Sequence, residues 1–146
     1  MKKQLFFFLL LVFVFNTLKA QTIQTDVLVV GNCNAAFAAG LQSAVSGVKT
    51  TVLLQAGGFD INPITGDVNS GLQAEFLKKM KGLDTDFTKQ TANDVLKKWT
   101  DSTKNLTIIR DLLWIKAEKV GNNWNFKLSD GKTIKTKIKK NYCSKK

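Results

Sequence analysis

Small residues crowd the stretch Val30–Gly40 (VGNCNAAFAAG), the segment of this chain best suited to holding a phosphate. A strand-to-helix turn that cradles a pyrophosphate asks for minimal side chains at three points. The first makes a tight turn, the second lets the backbone approach the phosphates, and the third lets the helix lie close on the strand. Gly31 stands at the first point, Cys33 at the second and Ala36 at the third, where alanine is tolerated; Gly40 adds another small position along the helix. The chemistry would be anion binding by the free N–H groups of the helix's first turn. Cys33 breaks the literal pattern, and small residues also serve plain packing, so the segment alone leaves both readings open. The Cys33 thiol invites a reactive reading as well, but a small buried residue in place of glycine is the simpler one.

Other chemistries are excluded by what the chain lacks. There is no histidine, which removes Ser-His-Asp and Cys-His catalysis together with the commonest transition-metal ligand. Cys33 and Cys143 cannot build a zinc site alone, and no metal is expected. The net charge of +11 is carried almost wholly by lysine, Arg110 being the lone arginine. Nucleic-acid recognition leans on the arginine fork, so none is expected here. Seven lysines within Lys132–Lys146 leave an alternative open, a small exported basic module for anionic polysaccharide or a membrane surface. Trp114, Trp124 and Phe126 fall at strand periodicity and read as core rather than as a stacking platform. No residue stands out as a catalytic acid or base.

The elements that would position the turn follow from hydropathy. Asp26–Val30 is a short β-branched run, Ala35–Val45 a small-residue helix ended by Gly47, and Thr50–Gln55 a second apolar strand. Strand, turn, helix and strand in this order make a βαβ unit, and continuous apolar strands suit a parallel sheet covered on both faces. Residues 56–71 have loop composition and hold the lone proline, Pro63. Ser70 and Gln73 are spaced as a capping box for a helix that carries Leu72, Phe76, Leu77 and Met80 along one side and closes at Gly82. A second helix carries Ala92, Val95, Leu96 and Trp99. Strands are then predicted at Leu106–Ile109, at Leu113–Val120, through Trp124, Phe126 and Leu128, and through Ile134, Thr136 and Ile138 after an Asp130-Gly131 hairpin turn. The predicted class is α/β: a Rossmann-like βαβ start, two helices and an antiparallel β-meander with one lysine-rich face.

The N-terminus reads as a secretory signal peptide over residues 1–20. Lys2 and Lys3 precede the apolar run Leu5–Phe15, and Asn16–Ala20 offers a cleavage point. That run is too short for a comfortable membrane span, which needs about 20 apolar residues. Export is therefore expected, to the periplasm or the exterior if the host is bacterial, with membrane contact only through the signal segment.

Order and local phrasing add a resemblance. DVLVVG (Asp26–Gly31), SGVKTTVLLQAGGF (Ser46–Phe59), SGLQAEF (Ser70–Phe76), ANDVLKKW (Ala92–Trp99), NLTIIRD (Asn105–Asp111) and LSDGKTIKTKI (Leu128–Ile138) resemble, in order, stretches of secreted FAD-dependent oxidoreductases with a glutathione-reductase-like flavin domain. The resemblance implies an FAD/NAD(P)-binding fold and FAD as cofactor. Gly31, Asn32, Cys33 and Ala36 would lie beneath the pyrophosphate. Gln55 would stand where the family carries an acidic ribose ligand, and Gly57 and Gly58 would form the turn that passes near the flavin. Cys33 and Gln55 depart from that pattern. After Ile138 the family continues with an apolar strand, whereas this chain reads KKNYCSKK. The resemblance thus covers an N-terminal portion only, residues 21–138, with a basic tail at 139–146. The expectation is an incomplete, truncated product, not catalytic by itself, which an unknown further chain could complete. The family alignment also brings Cys143 near the turn of Cys33, where the two would pair in an oxidising compartment. A sheet lacking its later strands predicts an unpaired edge and marginal stability.

Overall fold

The computed structural model describes residues 21–55, 57–60, 70–82 and 88–141. The proposed signal peptide, most of the proline-bearing loop and Cys143 lie outside these residues.

The βαβ unit forms where expected, as β1 (Thr22–Val30), α1 (Asn34–Val45) and β2 (Thr50–Leu54). Two helices follow, α2 (Gly71–Lys81) and α3 (Lys89–Ser102), and then β3 (Leu106–Arg110), β4 (Trp114–Val120), β5 (Asn123–Leu128) and β6 (Thr133–Asn141). One six-stranded sheet runs β3-β2-β1-β6-β5-β4. The pairs β3–β2, β2–β1 and β1–β6 are parallel, and β6–β5 and β5–β4 antiparallel.

Every residue of β2 is buried, because it is an interior strand with apolar cover on both sides. On one face α1, α2 and α3 pack through Phe37, Leu41, Phe76, Met80, Val95 and Leu96 against Val29, Val52 and Leu54. The helical spacing of Phe76 with Met80, and of Ala92 with Val95 and Leu96, accounts for both later helices. The Ser70–Gln73 capping box is not formed. Ser70 is the N-cap residue of α2 but its side chain makes no cap hydrogen bond. The working side-chain cap belongs to α3, where Thr88 Oγ1 accepts from the Thr91 amide at 3.0 Å.

The other face has its own core of Leu28, Val30, Leu53, Phe126, Leu128 and Ile134. Its members show that the sheet curls. Strands β3 and β4 sit at opposite ends of the sheet, five strand spacings apart, or about 24 Å if flat. The link from Arg110 to Trp114 can span only about 14 Å. The meander must therefore fold back over the parallel strands, which buries Phe126 and Leu128 against Leu28 and Leu53.

Strand β6 serves both parts. Its first half pairs with β5 and with the start of β1, and its second half runs on beside Val27–Val30 as far as Asn141. The pairing skips Asp26 and Lys137. Beyond that irregularity the faces exchange: Ile23 and Leu28 share one core although five positions apart, which uninterrupted alternation forbids. The buried Thr25 and Thr136 hydroxyls donate to main-chain carbonyls there, to Lys49 at 2.9 Å and to Asp26 at 3.0 Å, and Lys137 pairs with the Asp26 carboxylate at 3.0 Å.

The tail lysines find places on this strand. Lys139 lies opposite Leu28, its ammonium 4.5 Å from the Trp124 ring centroid and 5.7 Å from that of Phe126. Ile138 emerges on the helical face, 53% exposed.

Candidate functional site

The turn joining β1 to α1 sits at the C-terminal edge of the parallel strands, where open α/β sheets bind ligands. Gly31 has φ 141°, a conformation that side chains rarely adopt, and its amide donates to the Leu53 carbonyl at 3.1 Å, fixing the turn against β2. Helix α1 begins at Asn34. Its N-cap residue Cys33 places no side-chain acceptor on the first-turn amides, and the first turn holds no acidic residue. A helix N-terminus of this kind carries partial positive charge with donors pointing outward.

Close packing holds the helix in place. Ala36 is fully buried, and a methyl group added at Gly40 would collide with Cγ2 of the buried Val52. The small-residue spacing is thus used twice, at Ala36 and one turn later at Gly40. Phe37 meets Phe59 edge-on at 5.3 Å and Trp99 at 5.6 Å, tying α1 to the segment after β2 and to α3.

Cys33 is disulfide-bonded. The chain's other cysteine, Cys143, lies outside the described residues. The second small-residue point is therefore held by a cross-linked sulfur rather than by open backbone. The segment Gly57–Asp60 runs past the same turn: Asp60 forms a parallel bridge with Cys33, and its amide donates to the Asn32 carbonyl at 2.5 Å. The Asp60 carboxylate accepts from Lys89 at 2.6 Å, which joins the start of α3 to the turn.

Gly57 and Gly58 line a cleft of about 260 Å³ with Phe59, Gln90, Asn93, Asp94, Lys97 and Arg110. A Cβ on Gly58 would come within 3.2 Å of Asn93 Oδ1, so a larger residue there would need the Asn93 side chain to shift. Gln55 follows directly on β2, half-buried. The structure thus gathers Gly31, Asn32, Cys33 and Ala36 at one helix end, with Gln55, Gly57 and Gly58 on the neighbouring strand exit. Asp60, Lys89 and Arg110 were not singled out from sequence. Arg110 carried one signal, as the lone arginine at the end of an apolar strand, whereas Asp60 and Lys89 meet only through the fold.

Among the described residues, no group of three His, Cys, Asp or Glu side chains is placed to hold a metal ion, and no helix is long and apolar enough to cross a membrane. The lysines of β6 are partly engaged, Lys137 with Asp26 and Lys139 with the aromatic pair.

No protein-family profile matches the sequence, and no curated protein sequence matches it. Solved structures do. GidA from Aquifex aeolicus superposes with a TM-score of 0.58 at 20% identity, over 81% of this chain and 25% of that one. The bacillithiol disulfide reductase from Staphylococcus aureus gives 0.57 at 9% identity, over 84% and 39%. The p-nitrophenol 4-monooxygenase PnpA from Pseudomonas putida gives 0.56 at 13% identity, over 83% and 41%. The chain thus spans well under half the length of each. At these identities the likeness is one of fold, and that fold is the FAD/NAD(P)-binding Rossmann-like fold, present here as a partial domain.

Proposed function

We propose that this chain is the N-terminal dinucleotide-binding portion of an exported FAD-dependent oxidoreductase of the glutathione-reductase-like kind, without catalysis of its own. One observation carries the reading: the left-handed Gly31 turn feeds a helix whose N-cap residue Cys33 makes no side-chain cap bond, at the C-terminal edge of parallel β1 and β2. The fold neighbours named as a monooxygenase and a disulfide reductase agree with oxidoreductase ancestry.

The residues fit a dinucleotide pyrophosphate at every point but one. The backbone of Gly31 and Asn32 would hold it, and Ala36 would keep the helix close on the sheet beneath it. The Gln55 amide would take the place of a ribose-binding carboxylate with a weaker, uncharged hydrogen bond. Cys33 is the point of misfit, since its bonded sulfur stands where backbone should touch phosphate. A bound flavin would supply the redox chemistry, and this chain would supply orientation at the adenosine and pyrophosphate end. A second chain or segment would have to enclose the isoalloxazine ring.

A titration of the purified chain with FAD, followed by quenching of flavin fluorescence, tests this. Saturable binding in the micromolar range, displaced by ADP but not by FMN, is the expected result. A folded chain that binds none of the three would remove the proposal.

A further inference from the structure

Strand β4 forms one end of the sheet, and among the described residues nothing pairs with its outer edge. It is poorly covered along its length: Ile115 is 61% and Val120 52% exposed, and the neighbouring Leu113 52%. Unpaired edges of this kind recruit other strands, and lysines placed on them usually discourage it. Here the charges restrict the choice of partner instead.

In an antiparallel pair, residues directly opposite one another share a face. A second copy of β4 can therefore lie against the first only in registers centred on a residue. Centring on Lys116, Glu118 or Lys119 sets that charge against its own copy. Centring on Ala117 sets Lys116 opposite Glu118 of the second copy and Glu118 opposite Lys116, so both charge pairs are complementary. The same register brings Trp114 opposite Val120 and Ile115 opposite Lys119, at the irregularity where β4 departs from β5 between Trp114 and Lys116. Within one copy Lys116 and Glu118 already form an ion pair along the strand, so both charged ends stand on one face.

We infer that β4 is a self-complementary edge through which two copies of this chain join their sheets, antiparallel and centred on Ala117. Such a contact is isologous and closes as a two-fold dimer, which consumes both edges and does not propagate from β4.

Charge reversal tests the pairing in a way that folding alone cannot imitate. Sedimentation of the purified chain should show a concentration-dependent dimer. Lys116→Glu and Glu118→Lys, each measured alone, should weaken association by about tenfold or more, since two attractive pairs become two repulsive ones. An equimolar mixture of the two variants should regain the dimer, because each negative pair then faces a positive one. Thermal unfolding by circular dichroism would confirm that both variants are folded. A wild-type chain that stays monomeric up to about 100 µM, or a mixture no more associated than either variant alone, would overturn the inference.

Discussion

At the scale of single residues, Cys33 decides how far the ancestral site survives. Its type and position were legible in the sequence, because a phosphate-binding turn specifies small residues at fixed points and the exception is visible. Its cross-link was not legible from those residues, since spacing along a chain says nothing of distance in space. Replacing Cys33 with glycine should act in two opposite directions. Loss of the disulfide should lower stability by about 2–4 kcal/mol, while opening the backbone should tighten FAD binding by about tenfold, near 1.4 kcal/mol. Unfolding and FAD titrations of the same sample check both. A fall in stability with no gain in affinity would make Cys33 a structural residue and nothing more. Asp60 shows the limit of reading single residues: it sits in a stretch of loop composition, and only the fold sets it beside Asn32 and Cys33.

At the scale of elements, hydrophobic period recovered the strands and helices and most of their buried faces. Phe76 and Met80 on α2, Ala92, Val95 and Leu96 on α3, and Phe126 and Leu128 on β5 all face inward as their spacing demands. Two features escaped. The capping box at Ser70 and Gln73 matches a pattern, but the cap bond depends on a side-chain rotamer that the pattern does not set. Strand β6 reaches Asn141 although lysines crowd its end. Its lysines need no buried partners, because Lys139 lies across Trp124 and Phe126 and Lys140 is exposed. The seating of α1 on β2 gives the sharpest test at this level. Gly40→Ala adds a methyl against the fully buried Val52, an overpacking cost of about 1–3 kcal/mol, set against about 1 kcal/mol that alanine gains within a helix. A net destabilisation of up to about 2 kcal/mol by denaturant unfolding is expected; a stabilising result would mean that α1 lies farther from β2.

At the scale of the whole molecule, the α/β class and the order of elements were legible, but the curl of the sheet was not. Period locates strands without saying which end of a sheet they reach; the short Arg110–Trp114 link is the constraint that forces the meander over the second face. Exposed apolar positions at Val45, Ile115, Val120 and Ile138 mark surfaces that this partial domain leaves open. The unpaired edge expected from sequence belonged to the parallel sheet, but the place beside β1 is taken by the second half of β6. The edge proposed for the dimer is β4 of the meander, whose pairing would supply no flavin enclosure. The two proposals therefore stand or fall separately. The most direct test of the dinucleotide reading is a map of backbone amide chemical shifts, recorded on the reduced chain as FAD is added. The account predicts perturbations concentrated at Gly31–Phe37, with smaller ones at Gln55 and Gly57–Asp60. Shifts confined to the lysines of β6, or none at saturating FAD, would contradict it.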